Sequence, residues 1–137
     1  MNEIKELLKE INQFRDERNW RQFHNEKDLS LSISLEAAEL LELFQWKSSE
    51  EVVDTKQERL AEELADVLIY SYMLADNLDF DINEIIRKKL VKNAEKYPLD
   101  KSKDNNTKKD ILVATLVTLL RRLARKKVLP TKLCNTL

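Results

Sequence analysis

The feature that most constrains this chain is its lack of glycine. None occurs among 137 residues, and proline occurs only at Pro98 and Pro130. Tight β-hairpin turns and glycine-rich phosphate loops need the left-handed backbone that glycine adopts most readily. Leu, Glu, Lys and Ala, which favour helices, are abundant. We therefore expect an all-α fold, and the length corresponds to a single domain.

Hydrophobic residues recur at helical spacing in four segments, which predict the four main helices of a bundle. These segments cover about residues 2–18, 29–46, 55–77 and 81–97. A loop over residues 19–28 separates the first two and carries several large rings.

Polar residues and proline predict where these helices begin and end. Asp28 is the expected N-cap of the second helix, and Ser48 with Ser49 interrupts the chain after it. Asp81 and Glu84 form a capping-box pattern at the start of the fourth helix. Pro98 ends that helix, because proline cannot continue one. We expect the domain to span residues 1–98, followed by a linker over 99–110 and a basic extension over 111–137 with a helical pattern.

The formal net charge of −1 hides an uneven distribution. From Ile111 onwards there are six basic residues and no acidic one, which leaves 18 of the 24 basic residues and all 25 acidic ones before it. An acidic body argues against nucleic-acid binding by the core domain. The extension has four open interpretations: an oligomer contact, a membrane-surface helix, a nucleic-acid patch, or a segment unrelated to catalysis. A peripheral or oligomer-related role is favoured.

Other features predict the compartment. Cys134 is the only cysteine, so an intrachain disulfide or a cysteine-based zinc site is excluded and a reducing environment is favoured. The segment after Met1 is charged and amphipathic, unlike a signal sequence. The apolar run from Ile111 to Leu120 is too short to span a bilayer. We expect a cytoplasmic protein without a transmembrane segment.

Two pairs of carboxylates are the strongest functional signal. Glu36 and Glu39 are three residues apart on the second predicted helix, and Glu63 and Asp66 repeat that spacing on the third. Residues three apart share one side of a helix. At about 100° per residue, all four acids fall within otherwise apolar arcs, at matching offsets.

This placement favours a metal site over an ordinary acidic surface. A carboxylate buried without a partner is costly, and acids that face one another repel. A divalent cation relieves both costs, and hard oxygen ligands suit Mg²⁺ or Mn²⁺. A single pair of this kind in a highly charged chain would be read as solvated surface. The repeat on two neighbouring helices favours the metal.

With its context, the carboxylate pattern resembles the all-α NTP pyrophosphohydrolase (MazG-like) superfamily, which includes MazG, dimeric dUTPases and dCTP pyrophosphatases. The similarity to the dCTP pyrophosphatase branch covers about residues 1–98. It is carried, besides the acids, by the segments Phe14–His24, Leu43–Lys47, Glu62–Tyr70 and Lys92–Pro98.

The resemblance implies Mg²⁺-dependent hydrolysis of a nucleoside triphosphate to the monophosphate and pyrophosphate, with dCTP or modified dCTP as the leading substrates. Glu36, Glu39, Glu63 and Asp66 would hold the metal, which would neutralise phosphate charge and activate water. Similarity to dimeric dUTPases suggests Glu39 as general base. Attack at the α or the β phosphorus stays open.

The resemblance also implies a set of substrate-binding residues and an assembly. Each substrate candidate has a structural alternative: a core ring for the tryptophans and Tyr70, a structural role for the lone histidine, and a solvated basic face for the fourth helix. The candidates are Trp20, His24, Trp46, Tyr70, Lys89, Asn93 and Tyr97. Family members pair helices between subunits, so a homodimer or homotetramer is expected, with pocket residues from a second chain. The rival hypotheses are a pyrophosphohydrolase for another NTP or for phosphoribosyl-ATP, and a non-enzymatic helical interaction module.

Overall fold

The computed structural model of the chain describes residues 3–104, and every regular element in that range is helical. The all-α prediction is confirmed. The elements are α1 (Glu3–Glu17), a 3₁₀ turn (Trp20–Phe23), α2 (Glu26–Glu42), α3 (Ser49–Thr55), α4 (Gln57–Asn77), α5 (Ile82–Lys96) and α6 (Leu99–Ser102). No helix in this part of the chain is both long and apolar enough to cross a membrane.

The start of α2 corrects the predicted N-cap. The cap is Asn25, not Asp28, because the Asn25 backbone is extended and its side chain accepts a hydrogen bond from the Asp28 N–H. Asp28 lies in the first turn, where its charge complements the positive end of the helix dipole. The helix therefore begins three residues earlier than its apolar pattern indicates.

The chain between α2 and α4 also differs from the prediction. α2 ends at Glu42, four residues before Trp46, and residues 43–47 form turns. Ser48 does not merely interrupt the chain. Its side chain accepts a hydrogen bond from the Glu51 N–H at 3.1 Å and begins the short helix α3. Val52, which is fully buried, fixes this helix to the protein.

The fourth main helix follows the sequence closely. The Glu84 N–H donates to the Asp81 carboxylate at 3.0 Å, which confirms the predicted cap, and α5 ends at Lys96, two residues before Pro98. Helix α6 occupies the start of the predicted linker, with Pro98 as its N-cap. The predicted extension over 111–137 lies outside the described residues.

The described residues divide between two compact units, one ending at Ile86 and the other beginning at Arg87. In the first unit, α2 packs along α4, and α1 and α3 also contact α4. Ile11, Leu29 and Met73 form the centre of a small core. Helix α4 is thus the central element, and it carries Glu63 and Asp66.

Much apolar surface stays exposed around this core. Leu41 on α2 and Leu64 and Leu68 on α4 are about half exposed, as are Leu7 and Phe14 on α1. Among residues 3–104, the apolar arcs seen in the sequence are therefore only partly covered by neighbouring helices. Contiguous exposed apolar surface of this kind usually marks an interaction surface.

The left-handed positions that glycine usually occupies are filled by other residues. Among the described residues, positive φ occurs at Asn19, Trp46, Asp79 and Asp104. Asn and Asp tolerate this region because their side chains form local hydrogen bonds. Trp46 gains no such relief, so its turn carries backbone strain.

Candidate functional site

Three of the four predicted acids come together between α2 and α4. Glu36, Glu39 and Glu63 each offer an oxygen, and these oxygens all lie within 4.8 Å of one another. Glu39 is exposed, Glu36 is half-buried, and Glu63 is only 4% exposed. The side-by-side packing of α2 and α4 explains the arrangement, since each helix turns its motif toward the other.

Asp66 lies outside this cluster of three but acts on it electrostatically. Burial raises the pKa of Glu36, and the negative charges of Glu39, Asp66 and Glu63 raise it further. The pKa of Tyr70 is also raised, first by its burial and then by the charges of Glu36 and Asp66. All four acids thus contribute to one region of negative potential.

The cluster fits a divalent cation. Two oxygens on opposite sides of Mg²⁺ lie about 4.2 Å apart, given a metal–oxygen distance of about 2.1 Å. The oxygens of the cluster, all within 4.8 Å of one another, lie close to that spacing. The donors are all carboxylate oxygens, which suits Mg²⁺ or Mn²⁺ better than softer metals. Glu36, Glu39 and Glu63 would hold the ion, and the charge of Asp66 adds to the negative potential there.

Basic side chains border the same acids. The Arg59 guanidinium donates to Glu63 at 2.5 Å and to Glu62 at 3.1 Å. It lines a polar hollow of about 390 Å³ together with Glu39, Lys47 and Lys56. Neither Arg59 nor Lys56 is among the predicted site residues, because i,i+4 acid–base pairs are frequent on any charged helix.

An apolar groove of about 710 Å³ opens on the other side of Asp66. It lies between α1, the 3₁₀ turn and α4, and a chain of rings in edge-to-face contact runs along it. The centroids of Phe14 and Trp20 are 5.7 Å apart, and those of Trp20 and His24, and of His24 and Tyr70, are each 6.2 Å apart. Tyr70 contacts His24, and the charges of Glu36 and Asp66 act on it, so the row of rings ends within the electric field of the acids.

His24 is a partly buried side chain in this groove. Burial and the charge of Arg15 lower its pKa below the usual value. Its Nδ1 is buried and has no hydrogen-bond partner within the described residues. The ring of His24 nevertheless lines the groove, where it can pack against a flat ligand.

Trp46 does not belong to α2, although the predicted second helix extends to it. It follows the end of α2, has a φ of 61°, and is 94% exposed. The wheel fails here because it assumes that the helix continues beyond Glu42. Within this chain the ring therefore contributes to neither the groove nor the carboxylate cluster, and its role as a substrate contact stays a prediction.

Lys89 and Asn93 lie on α5 and Tyr97 follows its end, and all three belong to the second unit. Lys89 is exposed, whereas Asn93 and Tyr97 are half-buried. The Asn93 carbonyl accepts a hydrogen bond from the Tyr97 N–H at 2.8 Å, which extends the helical hydrogen bonding past Lys96. Their role as substrate contacts also stays a prediction.

A buried polar network, which the sequence interpretation missed, holds the 3₁₀ turn in place. Arg15 is fully buried; it forms an ion pair with Asp76 at 2.9 Å and donates to the Asn77 side-chain oxygen at 3.2 Å. Asn77 in turn donates to the His24 carbonyl at 2.8 Å. Arg15 follows Leu8 and Ile11 at helical spacing, so its place on the apolar face was visible in the sequence.

Comparison with known proteins agrees with this architecture. The sequence model of the MazG-like family matches residues 31–112, more than half of the chain. The chain belongs to the MazG-like family. The matched segment begins within α2 and contains all of α4, so it includes all four acids of this MazG-like chain.

Individual relatives of this MazG-like chain carry an activity in their names. This chain is 38% identical over 101 residues to dCTP pyrophosphatase 1 of Mus musculus, and equally to that of Homo sapiens. Each alignment covers 70% of this chain and 59% of the relative, so the chain spans about three fifths of those proteins. A pyrophosphatase from Archaeoglobus fulgidus, known from its crystal structure, is 43% identical with a TM-score of 0.68, over 72% of this chain and 94% of its own.

Proposed function

We propose that this protein is a metal-dependent nucleoside triphosphate pyrophosphohydrolase that releases pyrophosphate and a nucleoside monophosphate. The observation that carries the proposal is the junction of two features at α4. Three carboxylates on α2 and α4 form a cluster, and an aromatic-lined groove borders the same helix α4. Asp66 and Tyr70 line this groove, and the pKa of Tyr70 is raised by its burial and by the charges of Glu36 and Asp66. A nucleotide has the same two parts, an anionic phosphate chain and a flat base.

Metal ions at the carboxylates supply the chemistry that phosphate hydrolysis needs, which is neutralisation of phosphate charge and activation of water. Glu36 and Glu63 are the less exposed acids and fit the role of fixed ligands. Glu39 is exposed, so it has room to accept the proton of an attacking water, in accord with the role that the family resemblance implies. Attack at the α or the β phosphorus stays open.

The rings of Trp20, His24 and Tyr70 are suited to hold the base. Stacking on aromatic rings is worth about 1–3 kcal/mol per base but accepts any base. Discrimination therefore needs polar groups, and the imidazole of His24, which lines the groove, is one candidate. Because the named relatives are dCTP pyrophosphatases, dCTP or a modified dCTP is the substrate that we propose first.

We also propose that the protein acts as a homodimer or homotetramer. The fully buried side chains of the first unit are few, while Leu41, Leu64 and Leu68 remain about half exposed on the two helices that carry the acids. A second copy that covers this surface would complete the core. It would also bring further side chains to the groove, where Trp46 of a neighbouring subunit is a candidate.

A panel of the eight common NTPs and dNTPs, incubated with the full chain and Mg²⁺ or Mn²⁺, tests this proposal through pyrophosphate release. We expect activity on dCTP, abolished by Glu63→Gln and by Asp66→Asn with unchanged circular dichroism. Glu58→Gln is the matched control, because Glu58 is an exposed acid on the same helix, outside the cluster.

The same panel separates the rival hypotheses. Release from another nucleotide but not from dCTP would favour a different NTP as substrate, and phosphoribosyl-ATP would be added to the panel for that branch. If no nucleotide releases pyrophosphate with either metal, the enzymatic proposal is wrong and a helical interaction module becomes the better interpretation.

A further inference from the structure

Arg59 occupies an unusual position between exposed surface and buried acid. Its own side chain is 59% exposed, yet it donates to Glu63, whose side chain is 5% exposed. Its second partner, Glu62, is exposed and lies on the outer side of α4. One guanidinium therefore joins the most buried carboxylate of the cluster to the protein surface.

The surroundings of Arg59 are rich in both charges. The polar hollow that it lines contains Glu39 and Glu63 of the cluster, and also Lys47 and Lys56. Lys47 is already paired with Glu51 at 2.7 Å. Arg59 and Lys56 are thus the cations that lie beside the metal-ligand candidates, and Arg59 is the one that contacts a candidate directly.

We infer that Arg59 is a positioning residue that exchanges partners during the reaction. It holds Glu63 in place before the cation binds, releases that carboxylate to the cation, and then contacts an oxygen of the phosphate chain. The inference rests on the proposed function, because it requires that Glu63 is a metal ligand and that a phosphate chain lies beside the cluster.

Competition for Glu63 follows from the chemistry of the carboxylate. A carboxylate oxygen that accepts a hydrogen bond from guanidinium at 2.5 Å has less electron density to give to a cation, and the positive charge of Arg59 repels that cation. Glu63 is too buried to be solvated in place of Arg59, so it needs one of the two partners.

The release of Arg59 leaves it well placed for a phosphate. Its contact with Glu62 persists, and this keeps the guanidinium at the edge of the hollow. Guanidinium groups bind phosphate oxygens with strong, directional hydrogen bonds. A phosphate chain held at the cluster by the cation would therefore contact Arg59 in the hollow, which Lys56 also lines.

Two binding measurements on the full-length protein test the exchange. Calorimetric titration with Mn²⁺ alone should give about fivefold tighter binding for Arg59→Gln than for the wild type, since an ion pair of this kind is worth up to about 1 kcal/mol. With saturating Mg²⁺, inorganic pyrophosphate should bind Arg59→Gln roughly tenfold more weakly, because one charge-assisted hydrogen bond is lost. A purely structural role for Arg59 would weaken both.

Lys56→Gln is the matched control, since it removes the same charge from the same hollow without breaking a bond to Glu63. We expect it to change Mn²⁺ affinity less than twofold. Equal effects from Lys56→Gln and Arg59→Gln would mean general electrostatics and would overturn the exchange. So would unchanged or weaker Mn²⁺ binding by Arg59→Gln. A wild-type protein that binds no Mn²⁺ would overturn the proposed function as well, so the two failures are distinguishable.

Discussion

Replacing Arg15 by methionine should destabilise the protein strongly, although Arg15 is far from the carboxylate cluster in sequence. Arg15 is fully buried, and methionine keeps most of its unbranched chain while removing the charge. The substitution leaves Asp76 without its main partner and the Asn77 side-chain oxygen without its donor. It also frees the turn that carries His24, since Asn77 holds that turn.

The size of the effect can be worked from the contacts. Removing one partner of a buried ion pair typically costs about 3–5 kcal/mol. Asp76 is 27% exposed and keeps Asn12 at 3.0 Å and Arg21 at 3.6 Å as partners. The cost of removing Arg15 from the ion pair therefore lies below that range. The lost hydrogen bond to Asn77 adds about 1 kcal/mol. We therefore expect Arg15→Met to lower the free energy of unfolding by about 3 kcal/mol.

Removing the other partner of this ion pair, by Asp76→Ala, should cost more. Asp76→Ala leaves the guanidinium of Arg15 in a site with no solvent access, where burial and the charge of Arg21 already lower the pKa of Arg15. We expect a loss of about 4 kcal/mol. The double variant should be more stable than the sum of the two losses predicts by at least 1 kcal/mol, because it leaves no stranded charge.

Urea denaturation followed by circular dichroism, at one fixed protein concentration, measures all three variants. The fixed concentration matters because assembly would otherwise contribute to stability. Additive losses in the double variant, or a loss below 1 kcal/mol for Arg15→Met, would refute the idea that this ion pair holds the turn. Lys9→Met is the comparison, since Lys9 lies on the same helix and is exposed.

Three further predictions concern the groove and the helix ends. The lowered pKa of His24 means that, as pH falls below about 6.5, the unfolded state takes up a proton that the folded state refuses. Stability should therefore fall in that window and His24→Gln should remove the effect, while NMR titration of this single histidine should show a pKa below 6.5. Trp20→Ala should raise KM for the nucleotide about tenfold with little change in kcat; an equal loss in kcat would argue for a structural role. Asp81→Ala should lower the free energy of unfolding by about 1 kcal/mol in thermal melts, and a loss near zero would mean that its bond to the Glu84 N–H is not stabilising.

Much of the helical architecture was predictable because local signals agreed. The absence of glycine, the apolar periodicity and the Asp81 cap all favour helices, and the structure follows them. The convergence of Glu36, Glu39 and Glu63 was predictable for a related reason: equal spacing on two long neighbouring helices leaves few ways to pack them.

The predictions failed where a local contact overrides periodicity. Asn25 begins α2 ahead of its apolar pattern, because one side-chain hydrogen bond satisfies the first turn. Trp46 was misplaced because a helical wheel contains no information on where the helix stops. The start of α3 at Ser48 was visible as a serine followed three residues later by Glu51, the spacing that identified Asp81.

The network around Arg15 was missed for a different reason. Its partners, Asp76 and Asn77, lie more than 60 residues away, so no local pattern connects them. What the sequence could have shown is half of the network: a charged residue on an apolar stripe needs a partner. The identity of that partner depends on how α1 packs against α4, which only the structure provides.

The left-handed turns built without glycine bear on the denatured chain as much as on the native one. Asn19, Asp79 and Trp46 sample fewer backbone conformations than glycine when unfolded, so less entropy is lost as each turn forms. The gain is about 0.4–1 kcal/mol per position, against a native cost of about 1–2 kcal/mol for the left-handed backbone, which Asn and Asp reduce. At Asn19 and Asp79 the two effects nearly cancel. The stiffer denatured ensemble therefore offsets the cost of these turns but adds little net stability to the small core of the described residues.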